Sequence, residues 1–224
     1  MNKLIIFDLD GTLTDSAPGI TNCARLALQK MGYPEYTQEE LNTFVGPPLQ
    51  VHFVEFAHMN AEQVDEAVRL FRERYDAVGK FENSVYPGIP ELLKRLKKAG
   101  CLVTIATSKP EKFALQIADH FALTPYFDCI AGATMDESHN RKPLIIEDVL
   151  RSTGYLDKRE QAVMIGDRKY DILGAKEKGI RSIGAAYGYG SREELEEAGA
   201  DRIAASVEEL GELLLGPEVK NEEQ

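Results

Sequence analysis

The feature that most constrains the fold is a series of short apolar runs, Leu4–Phe7, Leu102–Ala106, Cys129–Ala131, Ala162–Ile165 and Ile180–Ala185. In the second half of the chain longer segments of helical periodicity separate them, the pattern of βαβ units feeding a parallel sheet. Most of the runs end in Gly, Asp, Thr or Ser. An open, doubly wound sheet sets its ligand-facing loops at the carboxyl ends of its strands, so chemistry is expected where these runs stop.

Between the first run and the second, roughly a hundred residues carry no comparable strand signal, and most of them read as helix. Ile20, Ala24, Leu28 and Met31 share one helical face within Ile20–Met31, and Val64, Val68, Phe71, Tyr75 and Val78 recur at helical spacing within Val64–Val78. Gly and Pro mark the edges at Ala17-Pro18-Gly19, Gly46-Pro47-Pro48 and Tyr86-Pro87-Gly88. The expected organisation is an α/β, Rossmann-like core formed by residues 1–14 and 85–224, with a helical domain inserted at 15–84. After the insertion, Glu91–Ala99 reads as an amphipathic helix that carries basic residues in its last turns and stops at Gly100.

Composition narrows the class of partner. Twenty-six Lys and Arg against 37 Asp and Glu give a formal net charge of −11, which disfavours nucleic acid and anionic membrane, both polyanions. The acidic stretches Glu193–Glu197, Glu208-Glu209 and Glu222-Glu223 read as solvated faces. Cys23, Cys101 and Cys129 are far apart, so neither a disulfide framework nor a zinc site is indicated. Leu4–Phe7 is too short for a signal-peptide core or a membrane span, and a cytoplasmic monomer or homodimer is expected.

The densest polar feature is Phe7-Asp8-Leu9-Asp10-Gly11-Thr12, directly after the first apolar run. Side chains two apart on a strand point the same way, so Asp8 and Asp10 face one site. Carboxylates that close repel unless a cation or a proton separates them, which implies a bound metal or unequal protonation. Alone, the same residues are equally suited to capping a turn and a helix. Thr107, in Thr104-Ile105-Ala106-Thr107-Ser108-Lys109, sets a hydroxyl at the end of the second run, able to donate to a phosphoryl oxygen or to cap a helix. Arg141-Lys142-Pro143 precedes the helical run Leu144–Leu150. Proline suits the first helical position and holds Lys142 extended, which puts its ammonium near a helix N-terminus, a place for an anion; by itself a lysine there would ordinarily be exposed. Val163–Asp171 supplies a strand ending in Gly166-Asp167, with Asp171 four residues on and on the same side of a helix that starts there. Magnesium takes a few carboxylates with phosphate and water completing its octahedron, which suits Asp8, Asp167 and Asp171.

Taken in order, Asp-x-Asp-Gly-Thr, the strand-end Thr107, Lys142-Pro143 and Gly-Asp-x-x-x-Asp resemble the four signature motifs of the haloacid dehalogenase superfamily, over nearly the whole chain. The insertion resembles that of members with an α-helical cap. The resemblance implies a Mg2+-dependent phosphatase in which Asp8 attacks phosphorus and Asp10 protonates the leaving alkoxide, then takes a proton from the hydrolytic water. It also implies that Thr107 and Lys142 hold the phosphoryl oxygens, and that Asp8, the main-chain carbonyl of Asp10 and Asp167 bind the metal. Asp171 would act through water or orient its neighbours. Dehalogenases and phosphonatases of the family lack an aspartate at the position of Asp10. The stretch from Gly166 to Gly190, including Tyr187-Gly188-Tyr189-Gly190, is most similar to the phosphoglycolate phosphatase and 5′-nucleotidase-like branch. It departs from that branch at Ser108, where asparagine is often seen, and at Leu144.

The substrate implied is a small phosphorylated metabolite, 2-phosphoglycolate or a nucleoside 5′-monophosphate. Choice between them is expected of the cap, through Phe44-Val45-Gly46-Pro47-Pro48-Leu49, which reads either as a segment facing the site or as a plain helix–helix turn. Phe44 is the candidate platform for a base; Lys109 or Arg168, with Ser108 beside the motif, is the candidate cation for a carboxylate. The competing readings are a sugar phosphomutase of the same superfamily and a phosphoaspartate signalling domain, the latter shorter and without a cap.

Overall fold

Strand β1, Leu4–Phe7, is buried along its whole length. Its side chains alternate between two cores: Ile5 and Phe7 join one cluster, Leu4 and Ile6 the other. A strand buried on both faces reads as an unbroken apolar run, as expected where helices cover both sides of a parallel sheet. The computed structural model describes residues 3–46, 49–135 and 138–216; Pro47 and Pro48 of the Gly-Pro-Pro turn and the acidic pair Glu222-Glu223 lie outside them.

The elements follow as β2 (Thr14–Asp15), α1 (Ala17–Lys30), α2 (Gln38–Asn42), α3 (Leu49–Ala57), α4 (Ala61–Ala77), β3 (Ser84–Val85), α5 (Ile89–Lys98), β4 (Leu102–Pro110), α6 (Glu111–His120), β5 (Cys129–Ala133), α7 (Lys142–Ser152), β6 (Ala162–Gly166), α8 (Lys169–Lys178), β7 (Arg181–Ala185), α9 (Arg192–Ala198), β8 (Arg202–Ala204) and α10 (Val207–Leu215). The chain divides into two compact units, one of residues 1–13 and 85–224 and the other of residues 14–84.

The first unit holds a six-stranded sheet in the order β5-β4-β1-β6-β7-β8, with its pairings parallel. Helices α5 and α10 supply Leu92, Leu93, Leu96, Leu210 and Leu214 to one core, and α7 supplies Ile145, Ile146, Val149 and Leu150 to the other. Chain order reverses at β1, which lies between β4 and β6, so the carboxyl ends of these three strands form the crevice where such sheets bind ligands. Two details depart from expectation. Strand β4 does not stop at Ala106 but runs on to Pro110 through a register shift between Thr107 and Pro110. Strand β8 has only three residues, too short a run to stand out in the sequence.

The second unit is helical apart from its short strand segments, with Cys23, Ala24, Leu28, Phe44, Phe53, Val68 and Phe71 in its interior. Helix α1 begins at Ala17, ahead of the predicted Ile20, because Pro18 sits in the first turn, where no amide hydrogen is needed. Thr37 with Glu40 and Asn60 with Gln63 form capping boxes that start α2 and α4.

Candidate active site

Asp8 follows β1 directly, and its amide donates to the Ile165 carbonyl of the neighbouring β6 at 2.8 Å, which locks the loop to the sheet. Its Oδ1 accepts from the Leu9 amide at 2.8 Å and lies 2.9 Å from Lys142 Nζ. Lys142 is 5% exposed, far from the surface position usual for a lysine. Its ammonium also meets Asp171 Oδ1 at 2.8 Å and donates to the Ala106 carbonyl at 3.0 Å. Burial alone would lower its pKa, but the carboxylates of Asp171 and Asp8 outweigh that cost and raise it, so Lys142 remains a cation. Pro143, in the first turn of α7, places Lys142 at the helix start.

Asp167 and Asp171 are fully buried. Asp171 Oδ2 accepts from the Arg168 amide at 3.2 Å, which closes the first turn of α8. Ligand oxygens of Asp8, Asp167 and Asp171 all lie within 4.8 Å of one another. Desolvation first, then the charges of Asp171 and Asp8, push the Asp167 carboxyl up to about 8; desolvation also raises Asp171, to about 6. Three desolvated carboxylates this close are an unfavourable arrangement that a hard divalent cation relieves, and their oxygens are the donors magnesium prefers. The residues therefore fit Mg2+.

A consequence for stability follows. A carboxyl whose pKa is higher in the folded state than in the unfolded chain contributes stability below the unfolded value, near 4, and loses it as pH rises through the folded value. In EDTA, the melting temperature of the wild type is expected to fall more steeply between pH 5 and pH 8 than that of Asp167→Asn. Added Mg2+ should stabilise the wild type increasingly as pH rises, because binding requires deprotonated ligands. Parallel slopes for the two proteins would contradict this.

Asp10 turns to the other side of the site. Its Oδ2 lies 2.7 Å from Lys109 Nζ, and its Oδ1 is buried with no hydrogen-bond partner among the described residues. Thr107 is 2% exposed, and its Oγ1 accepts from the Lys109 amide at 3.2 Å, which leaves its hydroxyl hydrogen to donate. Ser108 is exposed. The two candidate cations for a substrate carboxylate are both engaged within this unit: Lys109 by Asp10, and Arg168 by Glu194 at 3.0 Å.

Phe44 and Gly46 belong to the helical unit. Gly46 is exposed at φ 110°, a conformation that favours glycine. Phe44 does not stand as an open platform. It is 1% exposed, with its ring against His52, Phe53 and Phe56 at 4.4, 5.0 and 5.1 Å, so its faces are occupied by core packing.

The motifs alone did not reveal what holds Asp167. Its Oδ1 accepts from Thr12 Oγ1 at 3.2 Å and its Oδ2 from the Tyr189 amide at 2.9 Å, while the Tyr187 hydroxyl donates to the Thr12 carbonyl at 3.0 Å. The close approach needs glycine. A Cβ on Gly11, which sits at φ +78°, would fall 2.2 Å from Asp167 Oδ2, and one on Gly188 would fall 2.2 Å from the Gly11 carbonyl. The signal was the Gly-x-Gly spacing of Gly188 and Gly190 after β7, legible only once Asp167 was known to lie beneath it.

The model of the haloacid dehalogenase-like hydrolase family matches residues 5–185. A 5′-nucleotidase of Pseudomonas aeruginosa is 40% identical over 94% of this chain and 94% of that protein. A phosphoglycolate phosphatase of Vibrio parahaemolyticus is 31% identical over 95% and 96%, and the tyrosine-protein kinase PtkA of Mycobacterium tuberculosis is 38% identical over 95% and 72%. Among solved structures, a predicted phosphatase from Clostridium acetobutylicum superposes with a TM-score of 0.90 at 43% identity, covering 96% of this chain and 99% of its own. With the family model, the 5′-nucleotidase and phosphoglycolate phosphatase relatives, the clostridial structure and the parallel sheet in agreement, the chain belongs to the haloacid dehalogenase-like hydrolases, in their phosphatase branch.

Proposed function

We propose that this phosphatase hydrolyses a small phosphomonoester through a phosphoryl-aspartate on Asp8, with Mg2+ held by Asp8, Asp167 and the main-chain carbonyl of Asp10. The observation that carries the reading is the asymmetry of the two acids in one loop: Asp8 shares Lys142 and the carboxylate cluster, whereas Asp10 is turned to Lys109 with one oxygen unpartnered among the described residues. A nucleophile and an acid/base need such separate environments. When bound, the magnesium ion supplies charge compensation between the attacking carboxylate and the anionic phosphoryl group.

A carboxylate oxygen of Asp8 bonds to phosphorus as the bond to the leaving oxygen breaks, and Asp10 passes its proton to that oxygen, releasing the alcohol. Asp10, now a carboxylate, takes a proton from water, whose oxygen bonds to phosphorus as the Asp8–phosphorus bond breaks, yielding inorganic phosphate. Lys142 and the Thr107 hydroxyl hold the phosphoryl oxygens as charge spreads over them. Asp171 orients Lys142 and the start of α8.

Charge favours one substrate class. With Asp10 protonated as the acid, Asp8, Asp167 and Asp171 share the site with Lys109 and Lys142, and one divalent cation turns the remaining single negative charge into a single positive one. A phosphoryl dianion entering it leaves a net charge of one negative. A leaving group with its own carboxylate would add a further negative charge where both candidate cations are already paired. A nucleoside 5′-monophosphate fits this balance better than 2-phosphoglycolate, in keeping with the similarity to the Pseudomonas 5′-nucleotidase.

The test is phosphate release from nucleoside 5′-monophosphates, 2-phosphoglycolate, sugar phosphates and phosphotyrosine, in Mg2+ and in EDTA. Turnover is expected only with Mg2+, with kcat/KM for the best nucleotide about tenfold or more above that for phosphoglycolate. Full activity in EDTA would remove the metal from the mechanism, a preference for phosphoglycolate would reverse the substrate order, and isomerisation of a sugar phosphate without phosphate release would mark a mutase.

A further inference from the structure

We infer that Lys109 is a positioning residue that fixes which oxygen of Asp10 carries the travelling proton; this rests on the reading of Asp10 as the acid/base. Three observations converge. Strand β4 shifts register between Thr107 and Pro110, so Ser108 and Lys109 fall where the ladder with β5 is interrupted. Such irregularities re-aim side chains beside active sites, and here Ser108 is exposed while the Lys109 side chain is only 7% exposed and ends 2.7 Å from Asp10 Oδ2. The shifted backbone passes close to β5, since the Lys109 carbonyl lies 2.7 Å from where a Cβ on Gly132 would be. Finally, Asp10 Oδ1 is buried and has no hydrogen-bond partner among the described residues.

An ammonium has donors and no acceptor. Oδ2 can therefore accept from Lys109 whether or not Asp10 carries a proton, but it cannot present a proton of its own to Lys109. The proton is confined to Oδ1, and the same atom serves both half-reactions, donating to the leaving oxygen and then accepting from water. Without Lys109 the carboxyl can rotate and exchange its two oxygens, so the acid is out of position for part of the time. A misplacement of this kind costs on the order of 10²-fold where proton transfer matters and little where it does not.

Aryl phosphates of graded leaving-group acidity separate the cases, with kcat/KM measured for p-nitrophenyl phosphate, whose leaving group needs little protonation, through to phenyl phosphate, whose leaving group needs more. In Lys109→Met, phenyl phosphate should lose about 10²-fold and p-nitrophenyl phosphate no more than about threefold. Asp10→Asn should show the same steepening, and adding Lys109→Met to it should steepen the dependence no further. Lys109→Arg, which keeps the donor, should recover part of the loss. Equal losses across the series, or a raised KM with kcat unchanged, would overturn the inference and make Lys109 structural or a substrate contact. If Asp10→Asn itself leaves the slope unchanged, the acid/base reading fails independently of Lys109. Should Lys109→Met not fold, Lys109→Leu, which also lacks the donor, is read against the same slopes.

Discussion

Asp8→Asn is expected to abolish phosphate release, lowering kcat by at least about 10⁴-fold, while the protein remains folded. The amide is nearly isosteric with the carboxylate but offers no nucleophilic oxygen anion, so no phosphoenzyme can form. Its effect on stability should have the opposite sign. The charge of Asp8 helps to raise the pKa values of the buried Asp167 and Asp171, so removing it relieves repulsion within the metal-free cluster, while Lys142 keeps its ion pair with Asp171 and can still donate to the asparagine oxygen. In EDTA the variant should melt at or above the wild-type temperature, and the Mg2+-induced stabilisation should shrink because a ligand is lost. Single-turnover assays with acid quench and a search for covalently bound phosphate provide the direct check. Residual turnover within tenfold of wild type would remove Asp8 from the chemistry.

Lys142→Met is expected to damage both stability and catalysis. Its ammonium is buried between Asp8 and Asp171 and also satisfies the Ala106 carbonyl. Methionine fills much of the space of the lysine stem but leaves two carboxylates and a carbonyl without their cation. Breaking a buried ion pair from one side costs about 3–5 kcal/mol, a sizeable part of a domain's total stability. Catalysis should fall by about 10²–10³-fold or more through loss of a fixed charge on the phosphoryl oxygens. The two effects separate in practice: denaturant unfolding measures the first, and kcat at saturating substrate on the folded fraction measures the second. Saturating Mg2+ should recover some of the stability, because it screens the same carboxylates, but little of the rate. A Lys142→Met protein as stable as the wild type would mean that the ion pairs contribute nothing net.

The sheet was legible in the sequence because its signals are local. Leu4–Phe7 and Ala162–Ile165 read as strands because they are short, apolar and bounded, and the structure starts them at the same residues. Asp8 and Asp167 were legible because a strand end fixes where the next side chain goes. The end of β4 was not, since a register shift depends on how β5 pairs beside it, and β8 was too short to register. Phe44 shows the limit from the other direction. An aromatic next to a glycine turn is the same in sequence whether its ring is free or enclosed, and His52, Phe53 and Phe56 enclose it.

By itself, then, the sequence determined the class of fold, the order of the motifs and which acids stand at the strand ends, because strand and helix periodicity and the residue after a strand are properties of neighbours in the chain. Only the tertiary structure decided which charges meet. Lys142 reaches Asp8 and Asp171, Lys109 is taken up by Asp10, and Thr12 and Tyr189 clasp Asp167 across 155 residues in the one case and 22 in the other. Such pairings are set by a parallel sheet whose adjacent strands are distant in sequence, and electrostatic interaction depends on distance and burial in space rather than on spacing along the chain.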